Sequence, residues 1–223
     1  MGPSLFGFIQ NSAEKCDSED KNKYFQGKKQ TVERGRGEER GEGVMTASGT
    51  TRSDPALGDA TDQLGAPLPA VLQPEDGVSF WRPLPTNGHV TVKTSPSYGG
   101  PPGITMGTQT IPPGCFIAEH SHDRQVEILF CYEGAGTIEI DGVAHPFVPG
   151  TTVVATPWLR HKIVNPGPGE LKMTWTMMPP GLETFFRKIG RQRQPGETPP
   201  APFDPPLSAD AIQRETGFGD LQE

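Results

Sequence analysis

Short runs of alternating apolar and polar residues, separated by turns rich in proline and glycine, fill residues 90–178. One run, Val126 to Tyr132, is apolar on both faces apart from Glu127, which predicts a strand buried on both sides. Asp141-Gly142 predicts the tight turn of a hairpin. No amphipathic helix separates these runs, so we expect an all-β sandwich or barrel and not a doubly wound α/β fold. The predicted strands are residues 90–94, 105–110, 115–119, 126–132, 137–141, 142–147, 151–156, 161–165 and 171–178.

Metal-binding residue types are concentrated between residues 114 and 127, with one more downstream. His120 and His122 are two apart, and in a β-strand such residues point to the same face. Glu127 follows after a short turn, so it can add an oxygen ligand from the neighbouring strand, and His161 stands further along the chain. Two imidazoles and a carboxylate on one face, with positions left open, suit non-haem iron or a related divalent metal.

These residues carry a family resemblance. The spacing of Gly114, His120, His122, Glu127 and Gly134 resembles the first signature motif of the cupin superfamily without a departure. By resemblance, we expect a single small β-barrel of jelly-roll type, the cupin double-stranded β-helix.

The chain also resembles the second cupin motif, more loosely, at Gly150, His161 and Asn165. Thr156 and Trp158 stand where the family usually has a proline and a glycine ahead of that histidine. The whole resemblance covers roughly residues 76–190. It implies that the metal is held by His120, His122, Glu127 and His161.

The resemblance also implies a function. The chain is similar to quercetin-dioxygenase-like single-domain cupins, which implies a metal-dependent oxidoreductase acting on a small, aromatic or hydrophobic organic molecule of secondary metabolism. Fe(II) is the metal we expect, with Zn, Mn or Ni as alternatives because imidazole suits them as well. Glu127 is then both a ligand and the catalytic carboxylate. A homodimer is implied too, and exposed edge strands are ready templates for pairing.

Two other function classes stay open with the same ligands. One is a non-oxidative metalloenzyme, that is, a lyase, isomerase or decarboxylase. The other is a non-catalytic module that binds a small molecule and whose metal is structural or absent.

Strand alternation predicts which side chains share the ligands' faces or line the opposite wall. They are mostly apolar: Phe116, Ala118, Leu129, Cys131, Ile163, Asn165, Met173, Trp175 and Met177. Such walls suit an aromatic or hydrophobic molecule, although the Met and Trp side chains also fit ordinary core packing. Arg124 and Arg160 lie near ligands in the sequence and would either bind a substrate carboxylate or be solvated.

The composition limits the classes of molecule that this protein can be expected to bind. The formal net charge of −7, with no basic face, excludes a general nucleic-acid-binding role. No apolar stretch approaches transmembrane length. The three cysteines, Cys16, Cys115 and Cys131, make no disulfide framework, and their odd number fits a reducing compartment. We therefore expect a cytoplasmic protein whose partners are a small-molecule substrate and a second copy of the chain.

The chain divides into three parts by composition. Residues 1–66 are polar and charged with few large apolar residues, which predicts a disordered N-terminal region, with Met45 as an alternative start. Residues 67–190 form the predicted barrel domain and end in a short helix that begins at Gly181. Residues 191–223 form a proline-rich extension with a second short helix, Ser208 to Thr216.

Overall fold

The computed structural model describes residues 71–219, so the predicted disordered region, with Met45 and Cys16, lies outside the described residues. Strands dominate the described part of the chain, in agreement with the predicted all-β fold. The strands are β1 Val78–Trp81, β2 His89–Thr94, β3 Thr105–Ile111, β4 Phe116–His122, β5 Val126–Glu133, β6 Gly136–Ile140, β7 Val143–Phe147, β8 Thr152–Ala155, β9 His161–Val164, β10 Leu171–Met178, β11 Arg191–Arg193 and β12 Phe218–Gly219. The helices are α1 Leu182–Ile189 and α2 Ala209–Thr216, with a 3-10 turn at Pro96–Tyr98.

The strands form two antiparallel sheets, the arrangement of a cupin double-stranded β-helix. One sheet has the order β11-β1-β2-β3-β10-β5-β8, and the other has the order β12-β4-β9-β6-β7. The β6–β7 hairpin turns at Asp141 and Gly142, both of which have positive φ angles, 46° and 79°. Positive φ at both central positions is what a two-residue type I′ turn requires, so the hairpin prediction is confirmed.

The core consists of large apolar side chains from both sheets and from α1. Trp175, Phe147 and Ile163 are almost completely buried, and burial of each such side chain contributes roughly 1.5–3 kcal/mol. Gly107 lies opposite Trp175 on the neighbouring strand, and a Cβ there would meet both the indole ring and the Thr91 carbonyl. A glycine inside a strand commonly marks such a close approach.

One prediction about β5 is wrong. Its inward side chains are buried, but on the outward side Phe130 and Tyr132 are each 40% exposed. Strand β5 lies next to the edge strand β8, and its outward side chains are only partly covered. Ile128, Phe130, Tyr132 and Val154 form this outer apolar face, and Val154 is 58% exposed.

The segment after β10 closes the barrel. Both predicted helices are present, and Phe185 and Phe186 of α1 pack into the core. Strand β11 pairs with β1 in one sheet, and β12 pairs with β4 in the other. No helix within residues 71–219 is long and apolar enough to cross a membrane.

The cysteines depart from the sequence expectation. Cys131 is a buried free thiol, but Cys115 is disulfide-bonded. The expectation of no disulfide is therefore wrong at Cys115, and the cysteine argument for a reducing compartment no longer holds.

Candidate metal centre

Three strands bring the four predicted ligands together. His120 and His122 lie at the end of β4, and Glu127 lies at the start of β5 after a tight turn. His161 opens β9 and pairs directly with His120 across the sheet. The turn between β4 and β5 is itself anchored, since the side chain of Gln125 within it is fully buried.

The ligand atoms of these residues form one compact cluster. The candidate donor atoms of His120, His122, Glu127 and His161 all lie within 4.8 Å of one another. The Nε2 atoms of His122 and His161 are each 3.1 Å from the same oxygen, Oε2 of Glu127. His122, Glu127 and His161 are buried, and His120 is half-buried.

Backbone carbonyls fix the orientation of two of the imidazoles. Nδ1 of His120 donates to the carbonyl of Ala118 at 2.9 Å, and Nδ1 of His161 donates to the carbonyl of Leu159 at 3.0 Å. With its proton held at Nδ1, the neutral His120 ring turns its Nε2 lone pair toward the cluster. His161 donates from Nε2 to Glu127 Oε2 at 3.1 Å, and a bound cation would take the place of that Nε2 proton. Metal-bound histidines are commonly oriented by such an outer hydrogen bond.

The environment sets the charges of these groups. Burial, followed by the charges of His161 and His122, holds the pKa of His120 well below its usual value, so this ring is neutral. Burial alone would raise the pKa of Glu127, but hydrogen bonds from His122 and His161 outweigh it and hold the pKa well below its usual range. Burial is the largest single influence on His161 and would lower its pKa, but the hydrogen bond to Glu127, the negative charge of Glu127 and the hydrogen bond to the Leu159 carbonyl together raise that pKa. A carboxylate among imidazoles fits a divalent cation, because the four residues offer three nitrogen donors and one anionic oxygen.

A β-bulge in β4 changes which of its side chains share the face of the candidate metal ligands. The pairing of β4 with β9 shifts register between Ile117 and His120. Because a bulge adds a residue, Ile117 shares the inward face with His120, whereas Phe116 faces outward beside the Lys162 ammonium. The prediction that Phe116 and Ala118 lie on the ligand face is therefore wrong.

The other predicted wall residues are largely buried. Leu129 and Cys131 follow Glu127 along the inward side of β5, and Met173, Trp175 and Met177 are buried on β10. Asn165 is held by its own hydrogen bonds, donating Nδ2 to the carbonyls of Ile111 and Gly169.

Of the two arginines named from the sequence, one forms an ion pair and the other is exposed to solvent. Arg160 is paired with Glu119 at 2.6 Å on the outer side of the sheet. The side chain of Arg124 is 67% exposed. This geometry favours the solvated alternative for Arg124 and a structural ion pair for Arg160.

Sequence reasoning missed Phe218, which lies against the candidate ligand His122. Phe218 is 1% exposed, and its ring meets that of His122 edge to face at 5.1 Å between centroids. Strand β12, which carries it, pairs Phe218 with His122. The signal available in the sequence was an apolar residue directly after Gly217, which ends α2 in the left-handed conformation.

The loop before His161 keeps a glycine-like shape without the glycine. Trp158 has a φ angle of 66°, a conformation that L-residues other than glycine rarely adopt. Its N–H donates to the His122 carbonyl at 2.8 Å, which ties this loop to a ligand strand.

Comparisons with known proteins agree with this architecture. Residues 107–177 match the Cupin_2 family, described as a cupin domain. Protein SchB of Streptomyces halstedii is 28% identical over 92 residues, which are 41% of this chain and 67% of that protein.

Solved structures with a similar fold include a predicted oxalate decarboxylase from Thermotoga maritima, 18% identical, covering 50% of this chain and 100% of that one with a TM-score of 0.44. A sugar phosphate isomerase from Silicibacter pomeroyi, described as a cupin superfamily protein, is 18% identical. The match covers 50% of this chain and 77% of that one, also with a TM-score of 0.44. The family match, together with the barrel itself, supports the cupin superfamily.

Proposed function

We propose that this cupin barrel is a metal-dependent oxidoreductase of the dioxygenase type, acting on a small aromatic or hydrophobic organic molecule of secondary metabolism. The proposal takes His120, His122, Glu127 and His161 as the ligands and Fe(II) as the metal. It rests on one observation, that the donor atoms of these four residues lie within 4.8 Å of one another.

The donor set agrees with that proposal. Four protein ligands leave one position of a five-coordinate metal open, or two positions of a six-coordinate metal, and imidazole with carboxylate suits iron as well as Zn, Mn or Ni. A bound iron would let electrons pass from an organic substrate to O2 held beside it.

The chain's own residues have separate tasks. The hydrogen bonds from His120 and His161 to backbone carbonyls hold their Nε2 atoms toward the centre. Glu127 remains a carboxylate, so it supplies negative charge to the centre. Buried apolar neighbours such as Leu129 and Met177 exclude water around these groups and strengthen their electrostatic interactions.

The test combines oxygen consumption with anaerobic turnover. Protein reconstituted with Fe(II) is screened against phenolic and diketone compounds with an oxygen electrode, and the same pairs are repeated under strict anaerobiosis. We expect oxygen uptake that matches substrate loss and stops without O2. Turnover without O2 would instead identify a lyase, isomerase or decarboxylase, and a compound bound tightly but recovered unchanged would identify a binding module.

We also propose a homodimer formed through the outer apolar face beside β8. Strand β8 ends its sheet among residues 71–219, and Ile128, Phe130, Tyr132 and Val154 leave apolar surface next to that edge. An unpaired edge with an apolar flank is a template for a second strand.

The cytoplasmic location predicted from the sequence stays a prediction.

A further inference from the structure

One buried arginine, Arg82, has no counterion among the described residues. Arg82 follows β1 and is 8% exposed. Its guanidinium lies over the Phe186 ring at 4.7 Å and near the Phe185 ring at 5.7 Å. Its Nε is buried without a hydrogen-bond partner, and no carboxylate among residues 71–219 pairs with it. Burial lowers the pKa of Arg82 to about 10, so the side chain is still charged at neutral pH.

A second buried arginine of this region, Arg193, shows which kind of partner Arg82 lacks. Arg193 is also 8% exposed, but it pairs with Glu75 at 2.8 Å and lies 3.4 Å from the Ser79 hydroxyl. A buried charge is normally paired, because taking an unpaired ion out of water costs several kcal/mol. The two arginines are equally buried, but only Arg193 has a carboxylate partner among residues 71–219.

Two further donors without acceptors lie on the same inward side. Phe80 is a core residue of β1, and strand alternation places Arg82 on its face. Along the same row of the sheet, Gln109 is buried with an unpartnered Nε2. Trp175 is buried with an unpartnered Nε1, and its ring meets that of Phe186 at 5.4 Å. This part of the interior offers hydrogen-bond donors and aromatic surface.

We propose that Arg82 anchors the carboxylate of an organic acid inside the barrel, with Gln109 and Trp175 donating to further oxygen atoms of the same molecule. The planar guanidinium matches a carboxylate in a two-bond pairing. A single cation flanked by phenyl rings balances one negative charge, which favours a monocarboxylate with an apolar or aromatic body over a phosphate dianion. The inference rests on the proposed function only in taking this acid for the molecule on which the metal acts.

Matched probe pairs test the anchor directly. Binding of 1-naphthoate and of 1-naphthamide, and of benzoate and benzamide, is measured by calorimetry on the metal-loaded full chain at pH 7.5. We expect each acid to bind at least about tenfold tighter than its amide, because a hydrogen bond to a charged group is worth about 1.5–3 kcal/mol. In Arg82→Met this preference disappears.

Two controls separate the anchor from other causes. Arg193→Met removes the paired arginine and should destabilise the fold while keeping the preference for acids. His122→Ala removes a proposed metal ligand and should also keep that preference, so a failure of the metal proposal is distinguishable from a failure of this one.

The stability of Arg82→Met is the second readout. Because no partner is left unpaired, we expect its melting temperature to equal or exceed that of the wild type. The proposal is overturned if the wild type binds neither acid, if it binds acids and amides equally, or if Arg82→Met keeps the preference. A large drop in melting temperature would overturn it as well, since Arg82 would then be a structural residue.

Discussion

The strand that closes the barrel beside His122 provides a sharp test of the fold and the metal centre together. Phe218 of β12 is 1% exposed and contacts the His122 ring at 5.1 Å and the Phe185 ring at 6.2 Å between centroids. In Phe218→Ala these contacts are lost, but the backbone pairing of β12 with β4 is unchanged.

The expected loss follows from that burial. Replacing a buried phenylalanine by alanine destabilises proteins by about 3–5 kcal/mol. Strand β12 has two residues and lies at the edge of its sheet, so the site can collapse partly and the lower end, about 3 kcal/mol, applies. For a domain of this size each kcal/mol lowers the melting temperature by about 2–4 °C, which gives a drop of roughly 6–12 °C.

The variant should also weaken the metal site. An edge-to-face ring pair is worth about 0.5–1.5 kcal/mol, so a freer His122 ring predicts a fall in metal affinity of up to about tenfold. Denaturant unfolding and calorimetric metal titration measure the two effects. Leu207→Ala is the matched control in the same segment, since Leu207 is exposed and should change stability by less than about 0.5 kcal/mol. If Phe218→Ala melts and binds metal as the wild type does, β12 is not part of the closed barrel in solution.

Four other outcomes are expected. His122→Ala should lose its metal, as measured by plasma mass spectrometry, because one of four ligands is removed; full metal content would disprove the ligand assignment. Burial lowers the pKa of His89 to about 4, so the folded state binds fewer protons than the unfolded one between pH 6.5 and pH 4. Stability should therefore fall by roughly 2–3 kcal/mol as the pH drops through that window, and His89→Asn should lack this slope in denaturant titrations at several pH values. Val154→Lys should give a monomer in sedimentation at micromolar concentration without loss of fold, because Val154 is 58% exposed on the outer apolar face; a persistent dimer would place the interface elsewhere. Trp158→Gly should relieve about 1 kcal/mol of backbone strain at φ 66°, and a lower unfolding free energy would show that the indole contacts matter more.

The all-β fold and the proximity of His120, His122 and Glu127 could be predicted because both depend on local spacing, whereas His161 joined the candidate set only through the resemblance to cupins. Strand alternation places His120 and His122 on one face, and the bulge lies before them, so their relation survives it. The Asp141-Gly142 turn was predictable for the same reason, since the residues that adopt its positive φ angles are visible in the sequence.

What the sequence left out depends on contacts between distant segments. A bulge near Ile117 reverses the predicted face of Phe116, and periodicity alone does not show an inserted residue. Phe218 reaches His122 only because the C-terminal segment folds back onto β4. The exposure of Phe130 follows from its place next to a sheet edge, which depends on strand order. The absence of a partner for Arg82 among residues 71–219 is a property of the packed barrel.

Metal content of protein purified under strict anaerobiosis, measured by plasma mass spectrometry, tests the central claim most directly. We expect close to one iron per chain in the wild type. Folded wild-type protein that holds no metal, and takes up none when Fe(II), Zn, Mn or Ni is supplied, would contradict the metal centre at His120, His122, Glu127 and His161.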